Sequence, residues 1–393
     1  MRARVLELEN FRNYSSLQLS FSPGVNVFFG NNGQGKTNII EAIYMCACAR
    51  SHRTAKDEEL IKHGENYYYI SLDYTEKNDI DEQVGMKYQI LPSVTNNSKQ
   101  KQRTLYRDNL ALDRVMDFVG IFNAVIFAPE DLQIVKGGPG ERRRFMDLLL
   151  SQVKPVYFQA LQEFGKILRQ RNALLKTYKE KGRKLSSLET AQLDIWDDVY
   201  AAKAAFIILE RLQLVEKLSA ISCQIHQNIS DGLERSEIRY KTVSGIDESL
   251  DQEAIQEVIL RKLNANREQD IFRGYTSLGP HRDDLDISLN DLPLKIYGSQ
   301  GQQRTFVLAL KMAELKVIEE ITRQAPVLLL DDVMSELDGK RRKQLVTSLE
   351  NIQIFITCTD PDQLDKDWLK SLGSEEIYYF KVNQAQVEFQ KEK

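Results

Sequence analysis

The 393-residue chain has little cysteine, proline, tryptophan or histidine, and no long apolar run. Its cysteines (Cys46, Cys48, Cys223 and Cys358) form no CxxC pair, so reduced thiols are favoured over disulfides or structural zinc. No stretch approaches the ~20 apolar residues of a membrane helix. The first residues alternate apolar and charged side chains and do not resemble a signal peptide. We therefore expect a cytoplasmic protein without a membrane span.

Neither positive nor negative charge is in large excess, since the chain has 53 Lys and Arg and 57 Asp and Glu. With 42% hydrophobic residues, the composition excludes collagen-like and disordered chains and fits two or three packing units. Alternating or fully apolar runs predict strands, and 3.6-residue periodicity predicts helices. The strands are predicted at 5–9, 17–21, 25–29, 67–74, 84–91, 103–107, 124–127, 286–289, 294–297, 327–330 and 352–357. The helices are predicted at 38–49, within 144–178 and 195–229, at 302–323 and near 341–349.

A phosphate-binding loop is the strongest motif, because residues 30–37 match G-x-x-x-x-G-K-[ST] between an apolar strand and a helix. Glycines let backbone N–H groups close around phosphates at a helix N-terminus. Lys36 would reach the β- and γ-phosphates of ATP, and Thr37 would bind the accompanying Mg²⁺. The predicted ATP-binding residues are Gly30, Asn31, Asn32, Gly33, Gln34, Gly35, Lys36 and Thr37.

A second motif, at 327–332, is an apolar strand that ends in two carboxylates, as a Walker B segment does. Asp331 would hold Mg²⁺, and Asp332 would orient or deprotonate the attacking water. Lys36 and Asp332 are therefore the predicted catalytic residues. Asp331 lies 295 positions after Lys36, so a large segment is inserted between the motifs.

Just before that strand, residues 298–304 contain Ser-x-Gly-Gln at a predicted helix start, a pattern that taken alone also fits a polar helix cap. Together with the two motifs, it resembles the signature of ABC-type ATPases, and 335–338 resemble their D-loop. The resemblance implies that Ser299, Gly301 and Gln302 complete the γ-phosphate site of a second subunit. It also assigns D-loop roles to Ser335 and Asp338, and implies an ATP-dependent homodimer.

Five further segments, at 8–14, 50–54, 127–132, 279–284 and 331–338, are similar to motifs of the RecF family of bacterial DNA replication and repair proteins. That resemblance implies ATP-dependent binding of double-stranded DNA near single-strand gaps, released by hydrolysis. It further implies work with RecO and RecR to load RecA, and support of the SOS response. The alternatives are a chromosome-structure or break-repair ATPase related to SMC heads, or a P-loop small-molecule phosphotransferase.

The sequence departs from the wider ABC superfamily at two positions. Its catalytic Glu is replaced by Asp332, and the switch histidine has no counterpart near Thr359. Slow hydrolysis is the expectation. Residues 127–132 are the region in which we would look for a Q-loop.

Basic residues are concentrated between 141 and 184, where 12 Lys and Arg face 4 Asp and Glu. Such a face can neutralise DNA phosphates without reading sequence, although charge runs are as often only solvated surface. The predicted DNA contacts are Arg142, Arg143, Arg144, Lys166, Arg169 and Arg171.

These observations together predict an α/β fold: an ABC-type P-loop ATPase head with an antiparallel β subdomain, and an inserted, mainly helical second lobe. No heptad run is long enough for a long coiled coil. The predicted ATPase lobe comprises 1–128 and 307–393 and carries the Walker A, Walker B and D-loop motifs. The inserted lobe comprises 129–306 and carries the signature.

Overall fold

The computed structural model describes residues 1–76, 80–91, 100–332, 352–364, 369 and 377–391. The chain forms two compact units. The first comprises Met1–Asp131, Ile225–Leu233 and Arg304–Lys393, and the second comprises Leu132–Gln224 and Glu234–Gln303. Among the described helices, none is both long and apolar enough to cross a membrane.

The strands and helices follow the chain in this order. The strands are β1 (Arg2–Phe11), β2 (Tyr14–Ser20), β3 (Val25–Phe29), β4 (Tyr67–Thr75), β5 (Asp81–Leu91), β6 (Gln100–Arg107), β7 (Leu110–Leu112), β8 (Ala124–Phe127), β9 (Ser236–Lys241), β10 (Asp284–Leu289), β11 (Leu292–Pro293), β12 (Val327–Asp331), β13 (Ile354–Cys358), β14 (Ile377–Asn383) and β15 (Gln386–Lys391). The helices are α1 (Lys36–Cys48), α2 (Gln133–Lys136), α3 (Pro139–Val153), α4 (Pro155–Lys181), α5 (Ser187–Ile229), α6 (Gln252–Ala265), α7 (Arg267–Arg273), α8 (Leu294–Tyr297) and α9 (Gln300–Thr322).

The first unit contains two sheets. One is antiparallel, in the order β2-β1-β4-β5-β6-β7, and includes the predicted meander. The other has the order β15-β14-β3-β13-β12-β8, in which all neighbours are parallel except the edge strand β15. The strands β3, β12 and β13 are short apolar runs, as expected for a sheet covered on both faces.

Helix α1 packs against both sheets of the first unit, so the two sheets share one core. Nearly all of its side chains are buried, and it packs against β4 and β5 of one sheet and β8, β12 and β13 of the other. Aromatic rings also pack on the parallel sheet: Phe21 meets Phe355 with centroids 4.8 Å apart, and Phe28 stacks on Phe380 at 4.9 Å. This packing fixes β3 and α1, the two elements that flank the phosphate-binding loop.

The second unit is mainly helical and includes the small antiparallel sheet β11-β10-β9. Its interior contains buried arginines that form ion pairs with carboxylates. Arg171 donates to Asp197 at 2.7 Å and to Asp270 at 3.0 Å, and none of the three side chains is more than 3% exposed. These pairs connect α4, α5 and α7.

Residues 279–284, one of the family-like segments, cross-link the same unit. Arg211 donates to the carbonyl of Pro280 at 2.7 Å, and Asp283 accepts from Tyr240 and Thr242. The carboxylate of Asp284 accepts hydrogen bonds from Nε and Nη2 of Arg142. The segment therefore has a structural role that the sequence alone did not identify.

Three sequence-based expectations need correction. Residues 294–297 form the single helical turn α8, because Pro293 has no N–H to extend the pairing of β11 with β10. The helical stretch at 144–178 is two helices, since α3 ends at Val153 and Pro155 begins α4. The predicted inserted lobe, 129–306, differs from the second unit, because residues 129–131, 225–233 and 304–306 belong to the first unit, where the ring of His226 packs near Phe306. The predicted helix near 341–349 lies outside the described residues.

Candidate nucleotide-binding site

The loop between β3 and α1 needs glycine at two positions. Gly30 has φ 141°, and a Cβ there would lie 2.3 Å from the carbonyl oxygen of Val382. Gly35 has φ 118°, and a Cβ there would lie 2.7 Å from Asn13 and from Tyr14. Both positions combine a backbone conformation that favours glycine with close packing. The loop leads into the N-terminus of α1. At these two glycines, no side chain covers the backbone N–H groups of the loop.

Lys36 begins α1 and is only 8% exposed. Its ammonium donates to the backbone carbonyl of Asn31 at 2.9 Å and also to that of Gly30. Burial lowers the pKa of Lys36, and the carboxylate of Asp332 opposes that change. A cation held by the carbonyls of a phosphate-binding loop is placed to exchange them for phosphate oxygens.

Strand order brings the two acidic residues to the loop. Strand β13 lies between β3 and β12, so the carboxyl ends of all three parallel strands meet at one edge. The hydroxyl of Thr37 donates to Asp331 at 2.9 Å, and that of Thr357, on β13, donates to the same oxygen at 2.8 Å. Burial raises the pKa of Asp331, while these two hydrogen bonds favour its carboxylate.

Magnesium suits this pair of side chains. A carboxylate and a hydroxyl are hard oxygen donors of the kind Mg²⁺ prefers, and two protein ligands suffice when phosphates and water supply the others. Thr37 and Asp331, predicted as the metal ligands, are brought together by the fold.

Asp332 follows β12 with φ 54°, a left-handed conformation that is uncommon for a residue with a side chain. Its N–H donates to the hydroxyl of Thr357 at 2.8 Å. Asp332, Lys36 and Thr37 line one cleft of about 400 Å³, together with Arg53 and Thr357. Unusual backbone geometry beside a polar cleft is characteristic of a functional site.

Other residues that support the loop were not assigned a chemical role from the sequence. The amide of Asn13 donates to the carbonyl of Gln34 at 3.1 Å, and Tyr14 donates to that of Gly35 at 3.2 Å. The buried carboxylate of Glu41 receives two hydrogen bonds from Arg12 and lies 3.8 Å from Arg53. Although burial raises the pKa of Glu41, its hydrogen bonds from Arg12 and Ser51 bring it below the ordinary value.

The signature-like segment opens α9 within the second unit. Ser299 is exposed, its hydroxyl accepts from the N–H of Gln302 at 3.2 Å, and the amide of Gln302 accepts from the N–H of Ser299 at 2.8 Å. This is a reciprocal helix cap. Gly301 lies between them in the first turn of the helix. The D-loop residues Ser335 and Asp338 lie outside the described residues.

Two of the predicted DNA contacts are wrong. Arg171 is completely buried between Asp197 and Asp270, and Arg142 is 7% exposed and paired with Asp284. Neither guanidinium is available to a phosphate backbone. Arg143 and Arg144 are half-buried, and Lys166 and Arg169 are exposed on α4. These four remain predictions.

A phosphate-binding loop, a Walker B strand and an inserted helical unit define the class of this protein as an ABC-type ATPase head. A family model described as the RecF/RecN/SMC N terminal domain matches residues 3–374. An Smc head domain from Pyrococcus furiosus shares the fold, with a TM-score of 0.53 at 16% identity. The predicted fold class is therefore confirmed.

Within that class, the similarity to RecF proteins covers nearly the whole chain. The DNA replication and repair protein RecF of Ruminiclostridium cellulolyticum is 42% identical over 382 residues, 97% of this chain and 98% of that protein. RecF of Clostridium perfringens is 42% identical over 365 residues, 93% of this chain and 94% of that protein. A solved structure of the recombination mediator protein RecF-ATP in the RecFOR pathway aligns with a TM-score of 0.87 at 34% identity, covering 99% of this chain and 97% of that one. The chain belongs to the RecF family.

Proposed function

We propose that this protein is an ATP-dependent DNA-binding protein of recombinational repair and replication restart. The observation that carries the proposal is that Lys36 and Thr37 line one cleft, where Thr37 is hydrogen-bonded to the buried carboxylate of Asp331. The solved RecF-ATP relative, similar over nearly the whole chain, supports ATP as the ligand.

The same residues, together with Asp332, are proposed to hydrolyse ATP. Mg²⁺, held by Thr37 and Asp331, would neutralise charge on the β- and γ-phosphates. Lys36 binds those phosphates and stabilises the charge that develops as the bond to the leaving group breaks. Asp332 orients the attacking water and accepts its proton, giving ADP and phosphate. Because Asp is one methylene shorter than Glu, its reach toward that water is less, and we expect slow turnover that acts as a switch.

ATP would also join two copies of the chain. Ser299 and Gly301 stand at the N-terminus of a long helix, where a hydroxyl and N–H groups can bind the γ-phosphate held by a second subunit. ADP lacks that phosphate, so hydrolysis would release the dimer. The dimer would bind duplex DNA near single-strand gaps, with Lys166 and Arg169 as exposed candidate contacts.

The partners, the pathway and the location are proposed from the RecF family. The RecF-ATP relative is described as a recombination mediator of the RecFOR pathway. We accordingly propose RecO and RecR as partners in loading RecA, a role in the SOS response, and a cytoplasmic location.

The test is fluorescence anisotropy of a labelled gapped duplex against protein concentration, with ATP or ADP, at two salt concentrations. We expect binding that requires ATP, rises steeply with protein and weakens with salt. Lys36→Met, which removes the phosphate-binding cation, should bind neither nucleotide nor DNA under these conditions. DNA binding that is indifferent to nucleotide would refute the proposed clamp, and normal ATP affinity of Lys36→Met would refute the assignment of the loop.

A further inference from the structure

A second concave site lies in the helical unit, formed by the end of α4, the segment that leads to α5, and α7. This α4–α7 pocket has a volume of about 720 Å³ and is lined by Tyr178, Leu185, Ile271 and Phe272 among apolar side chains. The nucleotide cleft shares no lining residue with it. Its size is in the range of sites that take small ligands or a few peptide residues.

The inner wall of the pocket is apolar and well packed. Tyr178 is 3% exposed and forms a core cluster with Leu175 and Leu193, against which Leu185 and Ile271 pack. Phe272, by contrast, is 78% exposed although it lines the same pocket. An aromatic ring left in water beside an apolar cavity is characteristic of a binding surface rather than of a core.

The polar part of the lining is cationic. It contains Lys179, Arg183, Lys184 and Arg267 but one carboxylate, that of Glu268. Arg183 and Arg267 are paired with carboxylates of the same unit, at 2.9 Å from Glu189 and 2.6 Å from Asp194. Within the part of the chain that the structure describes, Lys179 and Lys184 have no ion pair. Both lysines are exposed and can accept an anionic partner.

We propose that the α4–α7 pocket docks an acidic peptide segment of a partner protein, with one bulky apolar side chain inserted beside Phe272 and carboxylates on Lys179 and Lys184. Charge complementarity selects an anionic occupant. The apolar inner wall favours a hydrocarbon side chain over a nucleotide base, because Leu185 and Ile271 would leave the polar edge of a base without hydrogen bonds. This docking function goes beyond the proposed ATPase and needs no nucleotide.

The probe is a fluorescein-labelled synthetic peptide with one phenylalanine between pairs of aspartates, titrated with the full-length protein and followed by anisotropy. We expect saturable binding that Phe272→Ala and Lys184→Glu each weaken by about tenfold. Both positions are exposed, so neither variant should unfold the protein. Val156→Ala and Lys217→Glu change exposed residues of α4 and α5 outside the pocket lining and should stay within about twofold of the unchanged protein.

Three outcomes would overturn the proposal. They are the absence of binding at millimolar peptide, equal binding of a peptide with alanine in place of phenylalanine, and displacement of the peptide by single-stranded oligo(dT). The last would identify a nucleic-acid site. Lys36→Met should bind the peptide normally, so failure of the docking site and failure of the proposed ATP site are distinguishable.

Discussion

At the scale of single residues, one threonine hydroxyl joins the carboxylate of Asp331 to the backbone of Asp332. Thr357 donates to the carboxylate of Asp331 and accepts from the N–H of Asp332. It therefore fixes the orientation of the carboxylate proposed to bind Mg²⁺ and the turn that carries the proposed catalytic Asp332. Thr357 contributes no chemical group to the reaction and acts through the placement of its neighbours.

Thr357→Val should separate binding from hydrolysis. Valine keeps the shape but loses both hydrogen bonds, whereas the loop around Lys36 is unchanged. Since supporting residues of this kind affect activity by roughly 10–100-fold, we expect ATP turnover to fall by about that factor. ATP affinity, measured with a fluorescent ATP analogue, should change by only a few fold.

Thr322→Val is the matched control, because within the described residues the hydroxyl of Thr322 bonds to the end of α9 and its adjoining turn. Its turnover should stay at the level of the unchanged protein. Unimpaired hydrolysis in Thr357→Val would mean that Asp331 and Asp332 are positioned by other contacts.

At the scale of elements, α4, α5 and α7 are held together by the ion pairs of Arg171. Removing one partner of a buried charge network leaves the others unpaired, which costs about 3–5 kcal/mol. We expect Arg171→Leu to lower the free energy of unfolding by that amount in urea denaturation. Arg169→Leu, two positions earlier and exposed, should change it by about 0.5 kcal/mol or less. Equal effects of the two substitutions would contradict the structural role of Arg171.

His281 adds a pH dependence to the same unit. Burial lowers the pKa of His281 to about 4, and its Nε2 lies 3.1 Å from the carbonyl oxygen of Thr276, as suits a neutral ring donating from that nitrogen. The unfolded chain binds a proton near pH 6.5 and the folded chain does not. The contribution of His281 to stability is therefore complete above pH 6.5 and is lost as the pH falls toward 4.

Urea denaturation between pH 4.5 and 7.5 measures this contribution. Carboxylates also titrate there, so the comparison is with His281→Gln, whose stability should fall less steeply with acid. His63→Gln, at an exposed histidine, controls for the effect of the substitution itself. A His281→Gln slope equal to that of the unchanged protein would exclude a neutral, buried histidine.

Sequence patterns predicted most of these elements, because strand alternation and helix periodicity are local. They failed where a contact with a residue far away in the sequence determines the local structure. Arg171 belonged to a basic run, and the run gave no sign that Asp270, 99 residues later, would pair with it. Likewise, residues 294–297 have an apolar pattern that fits a strand, but Pro293 and the end of β10 leave no pairing partner.

At the scale of the whole molecule, the same limit separates the site residues that the sequence could predict from those that it could not. The loop with Lys36 and the strand ending at Asp331 are contiguous motifs, so the sequence identified both. Thr357 and the Arg12–Glu41 pair required knowledge of which strands and helices are neighbours, which only the folded chain provides. The proposed role of Ser299 needs a further step, because it depends on a second copy of the chain.

That step can be tested with Ser299→Arg. An arginine at the helix start would fill the space of a γ-phosphate presented by the second subunit, so ATP-dependent dimers should be lost. ATP affinity should be retained, since Lys36 and its loop are untouched. Mass in solution with ATP, measured by sedimentation velocity, reports the dimer, and a fluorescent ATP analogue reports binding.

The control must remove a helix cap without touching the proposed interface. Ser186 serves, because its hydroxyl accepts from the N–H of Glu189 and the Glu189 carboxylate accepts from the N–H of Ser186, as in the cap at Ser299 and Gln302. Ser186→Arg and Ser299→Arg should each lose about 1 kcal/mol of stability. Of these two variants, Ser299→Arg alone should lose the dimer, since Ser186 has no part in the proposed γ-phosphate site. Dimers that persist in Ser299→Arg would show that Ser299 serves as a helix cap and not as part of the dimer interface.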